Sequence, residues 1–316
     1  MDNIADCVIV GGGAAGLSAA LVLGRARRRV LLVDAGEPSN AVSHGIGGLL
    51  GHDGRPPAEL YATGRRELER YPNVQVLTGE VVDVERGETF AVRLADGRVE
   101  QSRRVLLTPG IDYRLPEVPG IANLWGDKVF HCPFCHGWEM RDAPLGVLAS
   151  GPRAVHSGLM LRGWSDDIVV LTDGPADLGD EEFGLLDAAG IRVDERPISE
   201  VRAAGDGVEV VFGDGAVLPR GGLMVASTVH QRSALAERLG LRFGEANPLS
   251  AEGVWVDDFG RTSVPGVFAA GDVTVALPQV AAVIAAGAKA AAAVVQSLLA
   301  DEYGLPVPAW KEDVNA

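Results

Sequence analysis

Short, uninterrupted apolar runs recur along this chain, each closed by glycine or by an acidic residue. The first, Cys7-Val8-Ile9-Val10, runs into a turn at Gly11–Gly16, then a helix-compatible stretch at Leu17–Gly24, then a second apolar run at Val30–Val33 that ends on Asp34. Strands buried on both faces read as continuous rather than alternating apolar runs, so this order predicts a βαβ unit. The same order returns as a weak internal repeat: strand Gly146–Ala149, turn Ser150–Arg153, helix Ala154–Arg162, strand Ile168–Leu171.

Between the two units, Val74–Val105 alternates and carries polar turns at Glu85-Arg86-Gly87 and Asp96-Gly97, the pattern of β-hairpins. Proline and glycine then cluster from Thr108-Pro109-Gly110 through Pro116, Pro119 and Gly120, as in a connection between domains. Further hairpin-like segments lie at Val208–Phe212 and Ala216–Leu218. From about Phe243 the chain shows an extended Val254-Trp255-Val256, the run Val267–Ala270 and a long alanine-rich helix. The apolar stretch Leu277–Ala300 is long enough for a membrane span, but it is mostly alanine and Lys289 and Gln296 interrupt it, so a buried or half-buried helix is expected.

Composition adds three constraints. The chain has 316 residues, enough for two cored domains. Its 41 glycines are nearly double the usual share of roughly 7%, which fits loops where backbone approaches a ligand closely. A net charge of -15 opposes nucleic acid and anionic membranes as partners. Asp2 and Asp6 flank a start that turns at once into glycine, unlike an export signal, so a cytoplasmic protein is expected. Of three cysteines, Cys7 sits in an apolar strand as a core thiol, while Cys132 and Cys135 form C-x-x-C.

Gly11-x-Gly13-x-x-Gly16 follows a strand, opens a helix, and precedes an acidic residue at the end of the next strand. That context turns a weak motif into a dinucleotide fingerprint. Gly11 turns the chain, Gly13 admits a pyrophosphate, Gly16 packs helix on strand, and Asp34 is placed for the ribose. The helix N-terminus favours the phosphates.

The phrase Thr262-Ser263-Val264-Pro265-Gly266-Val267-Phe268-Ala269-Ala270-Gly271-Asp272 resembles the two-dinucleotide-domain flavoproteins. The resemblance implies FAD, with Asp272 on the ribityl chain and a following helix that begins near Gln279-Val280 beneath the flavin ring. The candidate FAD-binding set is therefore Gly11, Gly13, Ala14, Ala15, Gly16, Asp34, Ala35, Asn40, His44, Val82, Gly110, Gly271, Asp272, Gln279 and Val280.

Three chemistries compete for His131-Cys132-Pro133-Phe134-Cys135-His136-Gly137-Trp138-Glu139. C-x-x-C-H is a c-type haem attachment signature, but that chemistry belongs to exported proteins. Zinc needs four ligands in tetrahedral array, and adjacent Cys-His pairs with no second pair downstream fit poorly. A dithiol/disulfide couple needs two sulfurs at one end of a helical turn, where the helix N-terminus lowers the first thiol's pKa.

The order of parts resembles low-molecular-weight thioredoxin reductases, in which C-x-x-C begins a nucleotide domain inserted between two halves of an FAD domain. The fold implied is α/β, with two Rossmann-like three-layer ββα domains: FAD domain over 1–112 and 246–316, inserted NAD(P)-like domain over 113–245. Thioredoxin reductases follow the second cysteine with aspartate, whereas His136 stands here. Cys132-Pro133-Phe134-Cys135-His136-Gly137-Trp138-Glu139 looks like the gliotoxin- and holomycin-type dithiol oxidases, which close a disulfide in a small dithiol and send the electrons through FAD to O2, giving H2O2. By that resemblance Cys132 meets the substrate sulfur, Cys135 faces the flavin, and His136 is the general base, with His131 a second candidate. Phe134 and Trp138 are candidate substrate contacts. The loop at His44-Gly45-Ile46 lacks the second histidine of those oxidases. A homodimer is implied as well.

The inserted domain bears on the electron source. Its loop reads Ala149-x-Gly151-x-x-Ala154, and Leu171-Thr172-Asp173 is followed by Asp177, Asp180, Glu181 and Glu182. Such a run repels a 2′-phosphate, which disfavours NADPH; Asp173 leaves room for an NADH ribose. The rival readings are an NAD(P)H- or ferredoxin-driven disulfide reductase and a non-enzymatic flavin redox sensor.

Overall fold

The computed structural model describes residues 4–275 and 278–310; Asp2, and Leu277 at the head of the apolar stretch, lie outside the described residues. The chain divides into two compact units, one of Met1–Ala41, Pro56–Asp112 and Val229–Ala316, the other of Val42–Arg55 and Tyr113–Thr228.

The first unit is built on a parallel sheet in the order Val267–Ala269, Val105–Leu107, Cys7–Val10, Val30–Asp34, Val74–Thr78. Strand alternation sends Cys7, Ile9, Leu32, Leu106 and Phe268 to a core shared with the helices Ala14–Arg25 and Val280–Tyr303. Val8, Val10, Leu31, Val33, Val105 and Leu107 face the other way, onto a core with Phe90, Val92 and Leu94 of the antiparallel sheet Val81–Arg86, Phe90–Leu94, Val99–Ser102. A run apolar at every position is therefore buried on both sides, in a ββα sandwich.

The second unit repeats this plan. Its parallel sheet runs Arg192–Asp194, Ile168–Leu171, Leu145–Leu148, Gly222–Val225, Val129–Phe130. One face packs on the helix Gly151–Leu161 through Leu145, Val147 and Val170. The other packs on the antiparallel sheet Ile198–Ala204, Gly207–Phe212, Val217–Arg220 through Leu148, Val169 and Leu223.

Several expectations shift. Val74–Thr78 and Val105–Leu107 are parallel strands of the main sheet, and only the chain between them forms hairpins; strands of five and three residues are too short for alternation to separate the two cases. The helix predicted from Leu17 starts at Ala14, and the one predicted from Ala154 starts at Gly151, because each glycine turn is shorter than its motif. The second unit ends at Thr228 rather than 245, since Leu235, Ala236, Leu241 and Val254 pack into the first unit's core. It also takes in Val42–Arg55. Val254-Trp255-Val256 forms only an isolated bridge, Val254 to Phe243.

The helix Val280–Tyr303 is long and apolar enough to cross a membrane. Here its Val283, Gly287, Ala290, Ala291, Val294 and Leu298 are buried in the first unit's core. At Gly287 the backbone lies against the Ala15 carbonyl with no room for a side chain, and the Ser18 hydroxyl donates to the Ile284 carbonyl at 2.8 Å. The alanines that raise its hydropathy are what permit this close helix pairing.

Candidate active site

In the first unit, the chain leaves the strand Cys7–Val10 through Gly11 at φ +103°, where any side chain would overlap the Thr108 carbonyl. Thr108 locks the turn, its hydroxyl reaching the carbonyls of Val10 and Gly11 at 3.0 and 2.8 Å. Gly16 likewise has no room for a Cβ against the Gly11 carbonyl. Gly13 differs: nothing lies within 4 Å of where its side chain would be, so the N-cap of the helix Ala14–Arg25 is open to a ligand. The first turn of a helix offers N–H groups without intrahelical partners, and no acidic side chain competes for them here.

Asp34 ends its strand beside this turn. Its carboxylate accepts the N–H groups of Gly12 and Gly36, both at 3.1 Å, and Arg65 at 2.6 Å. A carboxylate offers about four acceptor sites, so capacity remains for a hydroxyl. Asn40 accepts the Tyr61 hydroxyl at 2.9 Å. Tyr61 is buried and its pKa is raised, first by burial, with Asn40 opposing and the charges of Asp272, Arg65 and Asp34 also felt. Tyr61 and Arg65, both on the helix Pro57–Leu68, thus join the site although nothing in the sequence singled them out.

Gly271, at φ +83°, brings the chain against Ala15 and delivers Asp272 into the same unit. Asp272 Oδ1 is buried with no hydrogen-bond partner among the described residues. Burial pushes its pKa up to about 6, the Arg232 charge opposing. An orphaned buried carboxylate oxygen is costly unless something supplies a donor, and the hydroxyls of a flavin's ribityl chain are donors of that kind. The residues present therefore fit FAD. Gln279 caps the helix that begins at Val280. Val82 lends its carbonyl to Arg238, Gly110 sits at φ +79° in open space, and Ala35 is exposed. His44 is the exception in the set: it belongs to the second unit, 82% exposed, with Nε2 3.7 Å from Asp127.

In the second unit, Cys132 and Cys135 are joined as a disulfide with Cα atoms 5.3 Å apart. Cys132 caps the short helix Pro133–His136, with proline at the first helical position, where its missing N–H costs nothing. The Cys132 carbonyl accepts the N–H groups of Cys135 and His136 at 3.1 and 3.2 Å. A bonded sulfur pair is no longer a thiolate ligand pair, and among the described residues no group of three or more His, Cys, Asp or Glu converges on a metal site.

His136 lies flat over Phe130, ring centroids 5.7 Å apart, and both ring nitrogens are buried without a well-formed hydrogen bond. Burial lowers its pKa, with the Gly126 carbonyl, Glu139, the Cys132 carbonyl and Asp127 opposing. His131 stacks with Tyr113 and Trp125 at 4.6 and 5.5 Å. Burial, then the His136 and Arg153 charges, bring it down to about 4. Both imidazoles are therefore neutral at pH 7, the form that accepts a proton. Phe134 and Trp138 are 60% and 66% exposed, Phe134 edge-on to Trp164 and Trp138 beneath Arg141.

The second nucleotide-type loop is closed on itself. Gly151 donates its N–H to the Ala176 carbonyl at 2.8 Å, and Ala176 donates to Glu195 at 2.8 Å. Asp173, the residue expected to take a ribose, accepts the Ile198 N–H at 2.6 Å. The acids Asp180, Glu181 and Glu182 form the first turn of the helix Asp180–Ala188, where they complement its dipole.

Two ββα units, one with a phosphate-type glycine turn and one with a cysteine pair at a helical turn, define a disulfide oxidoreductase. The chain belongs to the pyridine nucleotide-disulphide oxidoreductase family, whose sequence pattern matches residues 5–292, and within it the chain is thioredoxin-reductase-like. It is 33% identical over 314 residues to thioredoxin reductase tcpT of Claviceps purpurea, covering 96% of this chain and 97% of that one. It is 32% identical over 310 residues to thioredoxin reductase aclD of Aspergillus oryzae, covering 94% and 97%. Among solved structures it resembles HlmI, with TM-score 0.90, 38% identity and coverage of 96% and 95%. It also resembles an oxidoreductase from Agrobacterium tumefaciens, with TM-score 0.88, 38% identity and coverage of 94% and 99%.

Proposed function

We propose that this enzyme is an FAD-dependent dithiol oxidase that closes a disulfide in a small, cyclisable dithiol, with O2 as acceptor and H2O2 as product. The observation that carries this reading over a nicotinamide-driven reductase is the closed second loop: the Gly151 N–H is spent on the Ala176 carbonyl, and the Asp173 carboxylate is turned to the Ile198 N–H. The turn Gly11–Gly16, Asp34, Asn40, Asp272 and the helix start at Gln279-Val280 would hold FAD, in a domain assembled from both ends of the chain. Bound there, FAD would supply a two-electron acceptor for the enzyme dithiol, with O2 as the final oxidant.

The chain's own residues perform the sulfur exchange. A substrate thiolate attacks Cys132 Sγ; the Cys132–Cys135 bond breaks and Cys135 leaves as thiolate. The second substrate thiol then attacks the substrate sulfur of the mixed disulfide, releasing Cys132 and closing the product ring. Two electrons have moved from substrate to enzyme, and two thiol protons must be taken up. Neutral His136, next to Cys135 and lowered in pKa by burial, is the base for one of them. Phe134 and Trp138 offer the substrate an exposed aromatic face. A homodimer, as the family resemblance implies, is part of the same proposal.

Turnover with dithiothreitol tests this directly. Peroxide should appear in step with thiol loss and without added NAD(P)H. A protein that consumes thiols only when NADPH or reduced ferredoxin is present is a reductase, and one that forms no peroxide with any dithiol is a sensor.

A further inference from the structure

We propose that Gly47 is a positioning residue for the Cys132–Cys135 couple, acting through backbone contact with Cys135. The inference rests on the reading of that pair as the redox couple. Both residues lie in the second unit, which takes in Val42–Arg55 although this segment interrupts the first unit in sequence.

A Cβ at residue 47 would come within 2.8 Å of the Cys135 carbonyl oxygen and 3.4 Å of its carbonyl carbon and Cα. Gly47 is not among the glycines with positive φ, so its φ does not demand glycine. The Cys135 main chain is therefore the one obstacle to a side chain there. The next residue shows the opposite case: Gly48 has φ +73° and open space around it.

The loop is tied down on both sides of Gly47. Ile46 is buried and exchanges hydrogen bonds around Gly54 and Arg55, its N–H donating to the Arg55 carbonyl and its carbonyl accepting from Gly54, both at 2.9 Å. Asp53 accepts the Gly48 N–H at 2.8 Å, and Gly45 lies against the Gly54 backbone, where a Cβ would be 2.8 Å from a carbonyl oxygen. Two further contacts seat the loop in the same unit: Val42 covers Gly126, and His44 approaches Asp127.

The cysteine turn is wedged from its far end too. Gly137 donates to the Pro133 carbonyl at 2.7 Å, and a side chain there would meet that carbonyl and the Trp164 ring. The helix Pro133–His136 thus sits between two glycine contacts, Gly47 and Gly137. The arrangement sets where the Cys135 main chain stands in the disulfide, so the rate of sulfur exchange depends on a residue that touches neither sulfur nor substrate.

The test compares Gly47→Ala with Leu50→Ala, a control at a side chain 98% exposed in the same loop. Anaerobic reduction of the disulfide by dithiothreitol is followed by stopped flow, alongside flavin content and melting temperature. Displacing reacting groups by a fraction of an ångström predicts a change of about tenfold in the reduction rate of Gly47→Ala, with flavin content retained and Leu50→Ala unchanged. Equal rates in Gly47→Ala and the unaltered protein overturn the proposal. Should Gly47→Ala fail to fold, amide exchange in the unaltered protein decides. The contact predicts that reduction of the couple alters exchange at Gly45–Gly48, and identical exchange in both redox states overturns it. An unaltered protein whose pair dithiothreitol does not reduce refutes the redox reading itself, a different outcome from a normal couple indifferent to residue 47.

Discussion

The backbone N–H of Gly151 donates to the carbonyl of Ala176 at 2.8 Å. In a working dinucleotide loop that donor faces a pyrophosphate; here a buried alanine from the loop after the strand Ile168–Leu171 holds it. A ligand that binds the native state at a hundred times its Kd stabilises by about 2.7 kcal/mol. Millimolar NADP+ or NAD+ should therefore leave the melting temperature unchanged, as differential scanning fluorimetry would record, and a rise of several degrees contradicts the closure.

On the proposed route, Cys135→Ser removes the thiolate that reduces the flavin, while the residue itself lies in the second unit. Oxidase turnover should fall to background while the purified protein keeps its flavin absorbance. Sustained peroxide formation by this variant contradicts the route assigned to the pair.

Gly13 and Gly16 separate cofactor loading from folding. Gly13 has open space for a side chain, so Gly13→Val should fold with near-normal stability and lose flavin. Gly16 has none, so Gly16→Ala should destabilise by about 1–3 kcal/mol through overpacking. Flavin content and urea unfolding of the two variants provide the comparison.

Burial raises Asp272 to about 6, above its ordinary value of 3.8. The native state then binds more protons than the unfolded chain between those limits, so this carboxylate lowers stability as pH rises through that window. In flavin-free protein, Asp272→Asn should be stabilising at pH 7.5, by about 3 kcal/mol at most, and neutral below pH 4. Thermal melts at the two pH values read the difference; equal effects at both contradict the assignment.

With a pKa below the ordinary imidazole range, His136 is in its proton-accepting form at pH 7. His136→Asn should reduce kcat by about a hundredfold or more while flavin remains bound. The acid limb of the wild-type pH profile should lie below 6.5 and vanish in the variant.

Much of this molecule was legible in its sequence because the signals were local. Runs such as Cys7–Val10 and Ile168–Leu171 are short, apolar at every position and bounded by turns, as a strand covered on both faces requires. The glycine turn and C-x-x-C carry their chemistry in a few adjacent residues. Tyr61 and Arg65 were not legible, because they reach Asn40 and Asp34 from a helix that no motif marks. The return to the first unit at Val229 was hidden too, since it depends on which core receives Leu235 and Leu241. Nor could spacing show that Ala176 closes the second loop: that needs Asp173 and Asp177 at positive φ, with Gly174 between them at +131°.

In the proposed oxidase, electrons run from a dithiol through the cysteine pair to a bound flavin that nicotinamide does not feed. Anaerobic titration of the purified protein with dithiothreitol, and separately with NADPH, tests this route most directly. The purified protein should be yellow, bleached by stoichiometric dithiothreitol and left yellow by excess NADPH. Rapid bleaching by NADPH, or a colourless protein, would contradict the route.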